Sequence, residues 1–151
     1  MTVEPQEDED ARYLSAKFKI FPETLVANGR SLSLLLLHRR CASCWGTLFQ
    51  GEAGGIGIEE QEHMETIASH CSKQPDFIHP GLPIMEAILR ILLSNGNKPT
   101  TLEQIYDTLQ ERRSDPTNPW TPPPAKLYRM ISRDAYYGIG EVTPPAGRQA
   151  A

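Results

Sequence analysis

The sequence predicts an α+β fold: a small N-terminal β-hairpin and helix module, followed by a domain of three helices and a short strand. Three observations predict it. Residues 13–21 (YLSAKFKIF) alternate in strand fashion and are followed by Asn28-Gly29, the dipeptide of tight hairpins. Residues 83–95 and 102–109 carry apolar side chains at helical spacing. The three cysteines all lie in the first half, where apolar residues are sparse and a staple would help a small fold.

The elements follow in chain order. Residues 1–12 hold five of the acids, Glu4, Glu7, Asp8, Glu9 and Asp10, and read as a solvated tail. Residues 13–74 form the first module. Lys17 and Lys19 share one face of its strand, with Phe18 and Ile20 turned away from them. Both central residues of a type I′ turn need positive φ, which Asn28-Gly29 supplies. Residues 32–40 (LSLLLLHRR) read as a helix capped by Ser31 or Ser33, with a buried strand as the alternative. Cys41-Ala42-Ser43-Cys44-Trp45 and the glycine-rich residues 51–58 read as loop. No Gly-Lys-Ser/Thr follows those glycines, so a connector is expected there and not a phosphate loop. Residues 59–72 make a helix with Met64, Ile67, Ala68 and Cys71 on one face and acids in its first turn, at the positive end of the dipole.

Proline and glycine make residues 75–82 a linker. Residues 83–142 then form the second module. Its first helix carries Ile84, Ala87, Ile88, Ile91 and Leu92 on one face and ends at Asn95-Gly96. Thr100 and Glu103 read as a capping box opening a second helix, with Leu102, Ile105, Tyr106 and Leu109 inward. Thr121 and the prolines 122–124 start a third helix over residues 125–134, and residues 136–142 read as a strand or wing. Residues 143–151 form a second tail.

Charge and composition exclude several classes. The net charge is -4, yet residues 1–80 carry 12 acids against 7 bases, and residues 81–151 carry 7 against 8. Without its tail the chain is close to neutral. The longest apolar run, residues 34–37, is far too short to cross a membrane, and the acidic start lacks the apolar core of a secretory leader. An odd cysteine count argues for thiols or a metal in a reducing compartment, so a cytoplasmic location is expected. No Ser/His/Asp set, paired carboxylates or phosphate loop can be assembled, so neither an enzyme nor a small-molecule substrate is expected.

The first constellation with chemistry is Cys41-x2-Cys44 together with Cys71. A tight turn brings two thiolates to one ion, and tetrahedral zinc then needs two further ligands. Cys71 is the natural third. His70 is the preferred fourth, although neighbours on a helix diverge by about 100°, so both ligate only if the helix ends there. His38, three residues before Cys41, is the other candidate. The alternatives are an iron–sulfur cluster, or a buried Cys71 thiol beside a Cys pair that is a redox pair or merely two unmetallated thiols. A structural zinc is the expected cofactor.

The second constellation lies on the third helix. Lys126, Arg129 and Arg133 stand at i, i+3 and i+7 in one stripe, and Arg112 and Arg113 close the second helix. Such a stripe meets phosphates and base edges when its helix enters a major groove, or is simply a solvated face.

The segments PIMEAILRILLSNGNKPTTLEQIYDTLQERR and PPPAKLYRMISRDAYYGI together resemble the winged-helix domains of transcription and chromatin-associated proteins. That resemblance covers about 60 residues by helix and strand order. It implies a helix-turn-helix fold whose third helix contacts double-stranded DNA. The wing is a stub without a basic tip, and many winged helices dock proteins instead, so a protein-interaction adaptor is the second expectation. The Cys/His part more loosely resembles ribbon or treble-clef zinc modules.

Overall fold

In the computed structural model, which describes residues 10–48, 59–113 and 121–142, a strand from the N-terminal third lies at the centre of a three-stranded sheet. This strand, β1 (Lys17–Ile20), pairs antiparallel with β2 (Thr100–Thr101) on one side and β3 (Ile139–Glu141) on the other. Phe18 and Ile20 point into the core, while Lys17 is exposed. The α+β class read from the sequence is the class of the structure.

Besides a helical turn at residues 10–13, seven α-helices surround the sheet among the described residues. They are α1 (Pro22–Ala27), α2 (Leu32–Leu37), α3 (Ala42–Leu48), α4 (Glu60–Ser69), α5 (Ile84–Ser94), α6 (Leu102–Arg113) and α7 (Pro124–Ser132). One 3₁₀ turn, Cys71–Lys73, follows α4. The expected hairpin at Asn28-Gly29 is absent, and α1 stands in its place. Gly29 adopts φ 72°, and the Arg30 N–H donates to the Leu25 carbonyl at 2.8 Å while the Gly29 N–H donates to Val26. That pairing is a Schellman helix end. The left-handed glycine that suits a hairpin turn suits a helix C-terminus equally well.

The same device ends α5. Gly96 takes φ 69°, and the Asn97 N–H donates to Leu92 at 2.9 Å. Asn97 itself holds φ 60°, a conformation asparagine tolerates better than most residues. Its amide accepts from the Ile20 N–H at 2.7 Å and donates to the Ile20 carbonyl at 3.0 Å, tying the end of α5 to β1. The capping box of α6 lies one residue later than expected. Thr101 Oγ1 accepts from the Gln104 N–H, and Gln104 Oε1 accepts from the Thr101 N–H.

Thr121 does not cap α7. Its N-cap is Pro123, and the free Ala125 N–H donates to Asp10 Oδ1 at 2.9 Å. Asp10 was read as part of the solvated tail, but residues 10–13 form a helical turn that reaches α7. At the other end, Asp134 accepts from the N–H groups of Tyr136, Tyr137 and Ile139 and steers the chain into β3. Gly138 (φ 74°) sits where a Cβ would fall 2.8 Å from the Leu25 side chain, so only glycine fits.

One contiguous apolar cluster runs through the described residues, from Phe18 and Leu25 to Leu127 and Ile139. Ile88, Leu89, Leu92, Leu102, Ile105 and Leu109 are fully buried on α5 and α6. Phe77, Ile78 and Leu82, in the stretch expected to be a linker, are buried in the same cluster. No helix among the described residues is long and apolar enough to cross a membrane. The acidic start (1–9), the glycine-rich connector (51–58), the turn holding Trp120 and the C-terminal tail lie outside the described residues.

Candidate metal centre

Three helix ends converge on the cysteines. Ser31 caps α2 through its hydroxyl, which accepts from the Leu34 N–H, and α2 stops at Leu37. The chain then turns through Arg39 and Arg40 to Cys41. Residues 42–48, expected to begin in a loop, instead form α3, and the i, i+3 spacing puts Cys41 and Cys44 on one side of its first turn. Opposite, α4 ends at Ser69. His70 leaves the helical region at φ -126°, ψ -62°, and Cys71 begins the 3₁₀ turn. This break allows two consecutive residues to face one corner.

The donor atoms are close. Cys41 Sγ lies 3.7 Å from Cys44 Sγ, and Cys44 Sγ lies 3.6 Å from Cys71 Sγ. Ligands about 2.3 Å from a tetrahedral zinc stand about 3.8 Å apart, so both edges have metal-site length. The sulfurs of Cys41 and Cys44 and a His70 ring nitrogen lie within 4.8 Å of one another. Cys71 is not in that three-residue group but adjoins it, its sulfur 3.6 Å from Cys44 Sγ and accepting from the Cys41 N–H at 3.2 Å. The Ser43 hydroxyl stands between Cys41 Sγ (3.3 Å) and His70 Nε2 (3.2 Å). A cluster of thiols and one imidazole, with no carboxylate in it, has the soft donor chemistry that holds a transition metal.

The protein polarises these thiols unequally. Burial raises the Cys41 pKa, but hydrogen bonds from the Ser43 hydroxyl, the Cys44 backbone and the Cys44 and Cys71 thiols outweigh it and bring it to about 6. Cys71 is fully buried, and desolvation pushes its pKa up to about 12. Cys44 is buried and His70 is exposed, so the cluster opens to solvent on the His70 side.

Around the cluster lies a polar setting that the sequence did not reveal. His63 is buried, and its Nδ1 lies 2.8 Å from Arg40 Nη1. Burial first, then the Arg40 charge, hold the His63 pKa below its usual value, with Glu62 opposing. Arg40 Nε is buried without a hydrogen-bond partner. Glu86 of α5 binds Arg39 through two hydrogen bonds, at 2.7 and 3.0 Å, and Arg90 through a third at 3.0 Å. Arg90 also donates to the Phe77 carbonyl. Glu86 and Arg90 form an i, i+4 pair on α5. The Arg40–His63 and Arg39–Glu86 pairs are far apart in sequence, and no local pattern announces them. Ser43, inside the Cys41–Cys44 spacing, and the i, i+4 spacing of Glu86 and Arg90 were there to be noticed.

The other predicted residues fall elsewhere. His38 is exposed with its ring 6.1 Å from that of Trp45, outside the metal-binding group. Lys126 and Arg129 are exposed on α7, and Arg133, its C-cap, is exposed as well. Leu127 and Ile131 are buried on the opposite side. Arg112 and Arg113 close α6, which packs against α7, and Arg112 is half-buried. Tyr128 stacks on Tyr13 at 4.3 Å and donates its hydroxyl hydrogen to Glu141 of β3, fixing the rotation of α7. Among known proteins, no family model matches the chain, and neither does any curated sequence or solved structure.

Proposed function

We propose that this is a non-catalytic, zinc-stapled winged-helix protein of the cytoplasm that binds double-stranded DNA in a transcription-associated role. The observation that carries the reading is α7. Its apolar residues Leu127 and Ile131 are buried while Lys126, Arg129 and Arg133 are exposed, the division a groove-reading helix requires. Helices α5, α6 and α7 with β2 and β3 follow the winged-helix order, and β1 takes the place of the strand that would return from a longer wing. Arg112 and Arg113, at the end of α6, would add contacts to the phosphate backbone.

Zinc suits the Cys41, Cys44, Cys71 and His70 set. It would link the start of α3 to the end of α4, adding a metal cross-link to a corner that core packing and the Arg40–His63 contact already hold. With Cys71 as a fourth ligand no open position would remain for a substrate, which is why the proposed role is structural and not catalytic. A protein-interaction adaptor is the second reading, favoured by the brevity of β3, only three residues.

The two readings separate on binding to random-sequence duplex at two salt concentrations. DNA contact predicts an affinity that falls steeply with salt, because each neutralised phosphate releases counterions. Changing Lys126, Arg129 and Arg133 together to Ala should then abolish most of that slope. No binding at low salt would leave the adaptor reading standing in its place.

A further inference from the structure

Two of the three large apolar side chains exposed among the described residues face the same groove. They are Leu34 of α2, 51% exposed, and Tyr136 before β3, 49% exposed. The groove has a volume of about 500 Å³ and runs from Gly29 and Arg30 to His38 and Arg39. Leu34 and His38 stand one helical turn apart along one wall. Tyr136 forms the other wall, and the Asp134 carboxylate accepting from its N–H holds it there.

The rim is cationic. Arg30 lies over the Tyr136 ring, 3.6 Å from its centroid. A guanidinium carries its N–H donors in its own plane, so stacking one face on a ring leaves the donor edge pointing outward. Arg39 at the far end is matched by Glu86, whereas no Asp or Glu lines the groove itself. In a chain of net charge -4 this is a local reversal of sign.

We propose that this groove docks an acidic amphipathic segment of a partner protein. One large apolar side chain of the segment packs on Leu34 against Tyr136, and a carboxylate a turn away meets the donor edge of Arg30 as a charge-assisted pair. The surface uses neither the basic face of α7 nor the cysteine corner, so its failure and theirs are distinguishable.

The test uses the full chain and two short fluorescein-labelled peptides, one with Leu and Phe at i, i+3 and i+4 among Asp and Glu, the other with every acid replaced by Lys. Anisotropy should show saturable binding of the acidic peptide only. Arg30→Glu and Leu34→Ser should each weaken it about tenfold, while metal content and duplex binding stay unchanged. Leu34 is exposed, so its replacement leaves the core intact if the Arg30 variant proves unstable. Equal binding of the basic peptide, or undiminished binding by both variants, overturns the proposal. So does a concentration-dependent dimer in sedimentation that Leu34→Ser abolishes, since the occupant is then a second copy of the chain.

Discussion

The interior between α5, α6 and α7 and the corner where α2, α3 and α4 meet are filled by different means. The first is aliphatic. Ile88, Leu92, Ile105, Leu109 and Leu127 are fully buried and need only shape and volume to match. The second buries a histidine and most of a carboxylate, keeps two arginines largely out of solvent, and gathers three thiols. Burial of this kind stabilises only while every partner is present and in the right ionisation state. The aliphatic side thus offers nothing for pH to titrate, the polar corner does, and under the proposed zinc reading the corner is also the side that responds to metal.

Breaking the aliphatic side should cost most. Leu92→Ala removes a fully buried side chain between helices and should destabilise by about 3–4 kcal/mol. Urea unfolding should show the same loss with and without chelator. Glu86→Ala should cost about 2–3 kcal/mol, because it strands Arg39 and Arg90, whose side chains are only 14% and 22% exposed. Replacing Arg39 and Arg90 together with Met alongside Glu86→Ala should recover much of that loss, and a triple variant as unstable as the single one would place the cost elsewhere.

Acid gives the smallest and most selective effect. His63 is held neutral in the fold, with its pKa below the 6.5 of an unfolded chain. The unfolded chain therefore binds a proton that the native state refuses. Stability is complete above about pH 6.5 and falls below it, by at most about 1.4 kcal/mol per pH unit, until the folded form is protonated as well. His63→Gln keeps an acceptor for Arg40 but cannot titrate. It should flatten the difference in urea midpoint between about pH 7 and about pH 5.5, and an unchanged difference would assign the acid sensitivity to other groups.

The contrast also explains what could be read from the sequence. Helices α5, α6 and α7 were legible because their apolar residues repeat at the helical period and their ends carry glycine, proline or a capping pair. The hairpin at Asn28-Gly29 was misread because a left-handed glycine serves a turn and a helix end alike. The strand it was meant to pair with, β1, finds its partners more than 80 and 120 residues away, at Thr101 and Gly140, where no local signal points. In the corner, the Cys41, Cys44, Cys71 and His70 set was visible as spacing. The helical setting of Cys41 and Cys44 was not, since a run such as CASCW has no period of its own. The Arg40–His63 and Arg39–Glu86 contacts join residues that only the fold brings together, while Glu86 and Arg90 stand at the i, i+4 spacing of one helix.

The metal content of the full chain, purified without chelator and measured by inductively coupled plasma mass spectrometry, tests the polar corner most directly. Close to one zinc per chain in the unaltered protein, and none retained by Cys44→Ser, is the predicted result. Metal-free protein, or zinc retained in full by the Cys44→Ser variant, would contradict it.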